Sequence, residues 1–236
     1  MSLKKYFLKT NITYKIYLYY NLYVRHKGFL NRSNYSQWGE DTEITDFFRE
    51  KENGKFLDIG CFHPYMYNNT YLLYLKGWSG YNIDMNPVSI DLFNIARSRD
   101  INICSAISDT NNNVNAFFDD PFSPLNTIDK DFYELSKGKA FVEGKEKIIK
   151  TSDFKNISKV IDAEIDFLNI DVEGLDFEVL KQIDIKQLNV KLIAIETHLT
   201  NGKKGKNCES IYHFLNEKKY KVKIRLGPTT LFFKTI

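Results

Sequence analysis

Acids and histidines that close short apolar runs are the residues of this chain best placed to do chemistry. Asp58 and Gly60 stand at the end of the run 56–59, and Asp84, 26 residues after Asp58, ends a second run at 81–83. An acid about 20 residues beyond the first turn of a Rossmann-like unit is where a ribose hydroxyl would be received. Asp171 and Glu173 follow the run 165–170, and Glu196 and His198 follow the run 192–195. Open α/β sheets bind ligands in the crevice at the carboxyl ends of their strands. These side chains are therefore expected to face one crevice.

The turn after the first run decides which ligand fits. A dinucleotide site carries G-x-G-x-x-G, because the pyrophosphate comes close to the backbone at a helix N-terminus. Here Gly60 is followed by Cys61, Phe62, His63 and Pro64, whose bulk would crowd a pyrophosphate. A cofactor without phosphates suits this turn, such as S-adenosyl-L-methionine. Asp58 and Gly60 would then lie by its methionine end, and Asp84, with Met85 beside it, by the ribose hydroxyls. Ser108 and Asp109, just past the run 101–107, would flank the adenine, and Gln37 would approach the methionine end. Asp58 has a second reading, in which it fixes the backbone amides of the turn.

Were such a cofactor to give its methyl group to a hydroxyl, the acceptor oxygen would have to be aligned with the methyl carbon, water excluded, and a base supplied for the proton. His198 and His63 are the candidate bases, since imidazole titrates at about pH 6.5. His198, at a strand end, is preferred, with His63 lining the pocket or orienting the cofactor. Asp171 would face the reacting centre, and Glu173 would orient a base or a substrate hydroxyl. The structural alternative for either acid is to cap the helix that follows Gly174, Leu175 and Asp176. Asp171, Glu196 and His198 also carry the donor types of a divalent-ion site; spacing does not establish their convergence, and no metal site is assigned.

Alternating strands and helices must position these groups. Residues 36–41 supply turn and cap residues before a helix over 42–49, with Ile44, Phe47 and Phe48 on one face. Strands are expected at 56–59, 81–83, 101–107, 165–170 and 192–195. Asn68, Asn69 and Thr70 cap a helix over 71–76, and further helices cover 90–97 and 210–217. Residues 220–226 and 230–234, joined by Gly227 and Pro228, form a terminal antiparallel hairpin. The pattern lapses over 108–150, which is read as an insertion, a lid at about 110–150 over the site. Its Phe117, Phe118, Phe122, Phe132 and Tyr133 either shape a substrate pocket or pin the loop to the core.

Residues 1–34 form an aromatic and basic extension to a domain over 35–236. Residues 14–24 are dense in tyrosine and are flanked by Lys4, Lys5, Lys9, Arg25 and Lys27. A helix lying on an anionic membrane surface accounts for this composition, as does a helix packed on its own domain or on a second subunit. Net charge is +3 over 236 residues, and lysines spread along the chain call for no nucleic-acid partner. Cys61, Cys104 and Cys208 are too far apart for a disulfide framework or a metal knuckle. No apolar run reaches about 18 residues, and no leader pattern is present, so a cytoplasmic protein is expected, with peripheral membrane contact and a homodimer both compatible with the N-terminus.

Four stretches resemble the FkbM-type family of S-adenosylmethionine-dependent methyltransferases. They are Tyr-Ser-Gln-Trp-Gly-Glu-Asp at 35–41, Phe-Leu-Asp-Ile-Gly-Cys-Phe-His-Pro at 56–64 with Asn-Asn-Thr at 68–70, Gly-Trp-Ser-Gly-Tyr-Asn-Ile-Asp-Met-Asn-Pro at 77–87, and Phe-Leu-Asn-Ile-Asp-Val-Glu-Gly-Leu-Asp at 167–176. The last is the most specific, with two acids spaced by one residue and then a glycine just past a buried strand. The resemblance runs from about Tyr35 to the C-terminus. It implies an α/β class I methyltransferase fold, a Rossmann-like, seven-stranded, mostly parallel sheet with a C-terminal antiparallel hairpin. It also implies methyl transfer from S-adenosyl-L-methionine, leaving S-adenosyl-L-homocysteine, to a hydroxyl of a sugar, glycan precursor or related metabolite. Asp84 stands where many relatives carry Glu, and the first motif lacks the later glycines of better-known methyltransferases. Two other classes fit the same residues: a metal-dependent phosphoryl or hydrolytic enzyme using Asp171, Glu173, Glu196 and His198, and a cofactor-binding scaffold without turnover.

Overall fold

The computed structural model describes residues 11–109, 112–118, 123–136, 145–162 and 164–235. In chain order the elements are α1 (Asn11–Tyr20), α2 (Glu40–Phe47), β1 (Lys55–Ile59), α3 (Tyr71–Leu75), β2 (Ser79–Asp84), α4 (Pro87–Ala96), β3 (Ile101–Cys104), β4 (Ala106–Ile107), β5 (Asn113–Phe118), α5 (Lys130–Ser136), β6 (Lys145–Ser152), α6 (Phe154–Ile157), β7 (Phe167–Ile170), α7 (Asp176–Gln182), β8 (Leu192–Glu196), α8 (Cys208–Glu217), β9 (Tyr220–Leu226) and β10 (Thr229–Lys234). Seven strands form the main sheet in the order β3-β2-β1-β7-β8-β10-β9. The first five run parallel, and β10 lies antiparallel to both β8 and β9.

Successive strand residues point to opposite faces, and both faces of the central strands are covered. Leu57, Ile59, Ile83, Leu168, Ile170, Ile193 and Ile195 meet Phe154, Ile157, Val179, Leu180, Ile211 and Leu215 of α6, α7 and α8. On the other face Phe56, Phe167, Leu192, Ala194 and Leu231 meet Ile44, Phe48, Leu73 and Trp78. Each large side chain buried in this way contributes about 1.5–3 kcal/mol. The two layers clamp β1, β7 and β8, whose carboxyl ends carry the acids.

The second face turns polar one step beyond Phe56. Asp58 is in register with Asn82 on β2 and Asn169 on β7, and Asn82 is in register with Asn102 on β3, so a polar row crosses four strands. Asn169 Nδ2 donates to Asp58 Oδ1 (2.8 Å), and Thr70 Oγ1 and Asn68 Nδ2 donate to its Oδ2 (3.1 and 3.4 Å). Asn82 Nδ2 donates to Asn102 Oδ1 (2.9 Å) and to Asp100 Oδ2 (3.0 Å). Fully buried Arg97 closes the row: its Nε donates to Asp100 Oδ2 (2.8 Å), Nη1 to Pro64 O (3.0 Å) and Nη2 to Thr70 Oγ1 (3.1 Å). Burial pushes the Asp58 carboxyl up, opposed by the Asn169 hydrogen bond and the Arg97 charge.

The structure corrects several sequence expectations. Asn68 and Thr70 serve Asp58, and Thr70 at the start of α3 makes no side-chain capping bond. Helix α2 starts at Glu40, after Gly39 in a left-handed conformation. The strand expected over 101–107 is two: Ser105 N donates to Asp84 O (2.9 Å), and β4 leaves the main sheet to pair with β6. Nor is 108–150 patternless, since β4, β6 and β5 form a second, three-stranded sheet. The reason is exposure: most of β6 faces solvent, so it lacks the apolar alternation that marks a core strand. Phe117 stacks on Tyr133 at 4.2 Å, both buried, and pins the insertion; Phe122 lies outside the described residues.

The N-terminal segment packs on its own domain by one face. Leu18 and Leu22 are buried with Tyr35, Tyr65, Val88 and Leu92, and Tyr14 Oη donates to Asp91 Oδ2 (2.6 Å). Among the described residues no helix is long and apolar enough to cross a membrane. Removing the cation from the polar row leaves buried carboxylates unpaired, which typically costs about 3–5 kcal/mol. Arg97→Met is therefore expected to lower unfolding free energy in urea by about that amount, and an effect below about 1 kcal/mol would refute this role of Arg97.

Candidate active site

The site begins where β1 and β7 end side by side. Gly60 has φ +82°, and a Cβ there would sit 1.6 Å from Asp171 O; only glycine fits. Gly60 N and Cys61 N both donate to Ile83 O (2.8 and 3.2 Å), and Asp171 N donates to Ile59 O (2.9 Å). Three strand ends are thereby laced into one rim.

A first cleft of about 600 Å³ opens over this rim, bordered by Gly60, Phe62, Asp84, Met85, Asp171 and Glu173. Ser105, Ala106 and Ile107 close one side, and Asn126, Thr127 and Ile128 of the insertion cover it. Asp84 Oδ2 accepts from Phe62 N (2.9 Å) and Oδ1 from Asn86 N (2.7 Å), which fixes the carboxylate while leaving lone pairs toward the cleft. Burial pushes it up to about 6 against those two amides. Phe62 (φ 52°) and Glu173 (φ 54°) are both left-handed, a conformation costly for side chains of this size and concentrated at ligand sites.

A second cleft of about 710 Å³ lies beyond and is bordered by Asp129, Phe132, Asp176, Phe177, Glu196 and His198. Residues 171–177 divide the two: Asp171, Val172, Glu173 and Leu175 face the first cleft, and Gly174, Asp176 and Phe177 the second. The insertion seats on this partition at Gly174, where a Cβ would lie 2.6 Å from Asp129 Oδ2. Asp176 accepts from Val172 N and Gly174 N (3.2 and 3.3 Å), so it holds the loop while Asp171 and Glu173 are left to the cleft. The hairpin turn supports the far end, since Pro228 O accepts from Thr197 N and His198 N (3.0 and 3.1 Å).

Gly60, Asp84, Met85, Asp171 and Glu173 thus come together in the first cleft, and His198 with Glu196 in the second. The other sequence candidates lie elsewhere. Asp58 sits beneath the turn, in the polar row. Gln37 is exposed and borders neither cleft. Ser108 N bonds to Ser152 O (3.1 Å) and Ser108 Oγ to Asp109 Oδ1 (3.2 Å); because the strand breaks at Ser105, residues 105–107 take the cleft position assigned to that pair. His63 is buried away from both clefts: its Nδ1 accepts from Met66 N (3.2 Å), and its Nε2 meets Asn21 Oδ1 (3.1 Å). Burial, then His26, lowers it to about 3.

Neighbouring acids raise Asp171, Glu173 and Glu196 across the partition. Burial first, then Asp176, Asp58, Glu40 and Asp84, pushes Asp171 up to about 8. Burial, then Asp171 and Asp176, raises Glu173, and Glu196 is raised by burial and then by Asp171 and Glu173. Asp176 is pushed up to about 6, burial outweighing its amide donors. Asp171 Oδ1 is buried with no hydrogen-bond partner. Glu40, whose Oε2 accepts from Trp38 N (2.8 Å), was missed as a member, although it lies in the motif at 35–41. His198 Nδ1 meets Thr197 Oγ1 (2.8 Å), and burial, then Arg225 and Lys204, lowers its pKa. Among the described residues no three His, Cys, Asp or Glu side chains converge as metal ligands, so Asp171, Glu196 and His198 do not gather as such a set.

A seven-stranded sheet in this order, with an acid closing β2 and a cleft across the ends of β1, β2 and β7, defines a class I methyltransferase fold. The chain belongs to the FkbM methyltransferase family: residues 58–222 match the family model described as the methyltransferase FkbM domain. No curated protein matches the sequence. The motif at 35–41, which carries Glu40, lies upstream of the matched segment.

The raised acids have a cost that depends on pH. A carboxyl whose folded pKa exceeds its unfolded value keeps its proton longer in the folded chain, so its contribution to stability falls as pH rises between the two. For Asp171 that window runs from 3.8 to about 8. Asp171→Asn is expected to melt higher than the parent protein at pH 8, by about 4 °C or more, with the gap shrinking toward pH 5. A variant that melts no higher than the parent at pH 8 would contradict this account of the cluster.

Proposed function

We propose that the protein is an S-adenosylmethionine-dependent O-methyltransferase that modifies a hydroxyl of a sugar, glycan precursor or related small metabolite. The observation that carries this reading is the acidic lining of the first cleft. Asp84, Asp171 and Glu173 border it, and among the described lining residues there is no Lys, Arg or His. Such a cleft offers a phosphate no counter-charge, whereas a cation seated there would draw the protons from its raised acids. S-adenosylmethionine brings an ammonium, a sulfonium and a ribose diol, and the unpartnered Asp171 Oδ1 and the backbone-held Asp84 are matched to these groups.

When bound, the cofactor supplies an electrophilic methyl group for in-line displacement. Asp84 receives the ribose hydroxyls, Asp171 and Glu173 hold the cationic end, and residues 105–107 flank the base. The insertion and the partition keep water from the methyl group. The second cleft takes the acceptor, where Phe132 and Phe177 offer apolar faces and Asp129, Asp176 and Glu196 offer hydroxyl acceptors. The lowered pKa of His198 favours its neutral form, and in the tautomer whose Nδ1–H donates to Thr197 Oγ1 the ring is oriented with Nε2 free to take the acceptor proton.

Calorimetric titration with S-adenosylmethionine and S-adenosylhomocysteine tests the cofactor assignment. Saturable binding is expected. Asp84→Asn should weaken it at least about tenfold, because two backbone amides already point at that side chain and only one acceptor oxygen would remain. Affinity should also fall below about pH 6, where Asp84 gains a proton and can no longer accept from both hydroxyls. Failure of both nucleosides to bind at neutral pH would sink the proposal. With a labelled methyl donor and a panel of hydroxylated acceptors, His198→Gln should lose about 10²–10⁴ in turnover at unchanged cofactor affinity; full activity would move the base to Glu196.

A further inference from the structure

The N-terminal helix is apolar on two opposite faces, and the described residues cover only one. Leu18 and Leu22 face the domain. Ile12, Ile16, Tyr19, Tyr20 and Tyr23 recur at spacings of three and four residues on the other side and are 75, 55, 53, 46 and 46 % exposed. Val24, 54 % exposed, extends the stripe. A contiguous exposed apolar stripe marks a surface that meets another body, so this outer face calls for a cover.

Charge identifies what covers it. Lys4, Lys5, Lys9, Lys15, Arg25, Lys27 and Arg32 precede Glu40, and no Asp or Glu does. The whole chain carries +3, so residues 1–39 carry +7 and the remainder −4. Lys15, Arg25, Lys27 and Arg32 are exposed, around a stripe rich in tyrosine, whose apolar ring and polar hydroxyl suit the boundary between water and hydrocarbon. A two-fold contact between copies of this face would bring two such positive segments together, which disfavours a second copy. We propose that this face docks the protein on an anionic phospholipid surface, with the stripe of Ile12, Ile16, Tyr19, Tyr20 and Tyr23 entering the headgroup region and the basic residues neutralising the lipid charge.

Docking of this kind goes beyond methyl transfer and does not rest on it. Its test is co-sedimentation of the full-length protein with vesicles of phosphatidylcholine alone or with about 30 mol % phosphatidylglycerol, a source of negative surface potential. Partition onto the anionic vesicles is expected to be at least about tenfold stronger and to fall at about 0.5 M salt. Ile16→Asp with Tyr20→Asp should abolish it, and Lys15→Glu with Arg25→Glu and Lys27→Glu should reverse the lipid preference, both with unchanged melting temperature because these side chains are exposed. The charge-reversal variant leaves the apolar contacts intact, so the test stays decisive even if the aspartate variant folds poorly. Absence of binding to anionic vesicles, or undiminished binding by either variant, would overturn the proposal. So would a dimer in lipid-free buffer that the same substitutions dissociate, since that would assign the face to a second copy.

Discussion

The site depends on a row of polar side chains laid across an otherwise apolar sheet. Asn102, Asn82, Asp58 and Asn169 occupy matched positions on four neighbouring parallel strands. Arg97, reaching in beyond the end of α4, supplies the row's cation. A buried carboxylate without hydrogen bonds is strongly disfavoured, so Asp58 is tolerated only where Asn68, Thr70 and Asn169 surround it. That demand holds the loop before α3 against β1 and β7 and fixes the floor on which Gly60 turns. The acids of the cleft stand one layer above this floor and inherit its rigidity.

Those acids form a field as well as a set of contacts. Asp176 and Glu40 help to raise Asp171, Asp171 in turn helps to raise Glu173 and Glu196, and no cation among the described lining residues of the first cleft relieves them. Stability is given up locally, as is common at functional sites. The division of the acids by residues 171–177 gives each cleft its own share. One segment of chain therefore sets both the charge of the first chamber and the shape of the second.

Much of this was legible in the sequence, for physical reasons that differ by element. Strands β1, β7 and β8 are covered on both faces and read as short apolar runs, and the acids that end them marked the rim. The placement of Asp84, Met85, Gly60, Asp171 and Glu173 at the cleft was legible because a strand end fixes where a side chain goes. The pairing of Asp58 with Asn169 was not legible, since register is a tertiary fact and an asparagine in a buried run gives no signal of its partner. His63 drew attention by its chemistry, whereas its setting against Asn21 depends on a segment far from it in the chain. Strand β6 escaped notice because its exposed, lysine-rich sequence looks like a loop. The break at Ser105 displaced the expected residues from the cleft because a change of sheet leaves the apolar run unbroken.

The order of strands has a consequence for how the protein comes into being. Strand β7 inserts between β1 and β8, and the bond from Asn169 to Asp58 spans 111 residues of chain. Contacts of such separation form slowly, because a long loop must close before they return any stabilisation. During synthesis the first three strands emerge with Asp58 facing an empty sheet edge and with the rim at Gly60 missing its counterpart, Asp171. Until β7 arrives there is a half-sheet with no ligand chamber. The chamber is therefore a late product of folding, and nascent chains halted before about residue 171 would lack it however well their amino-terminal strands had formed.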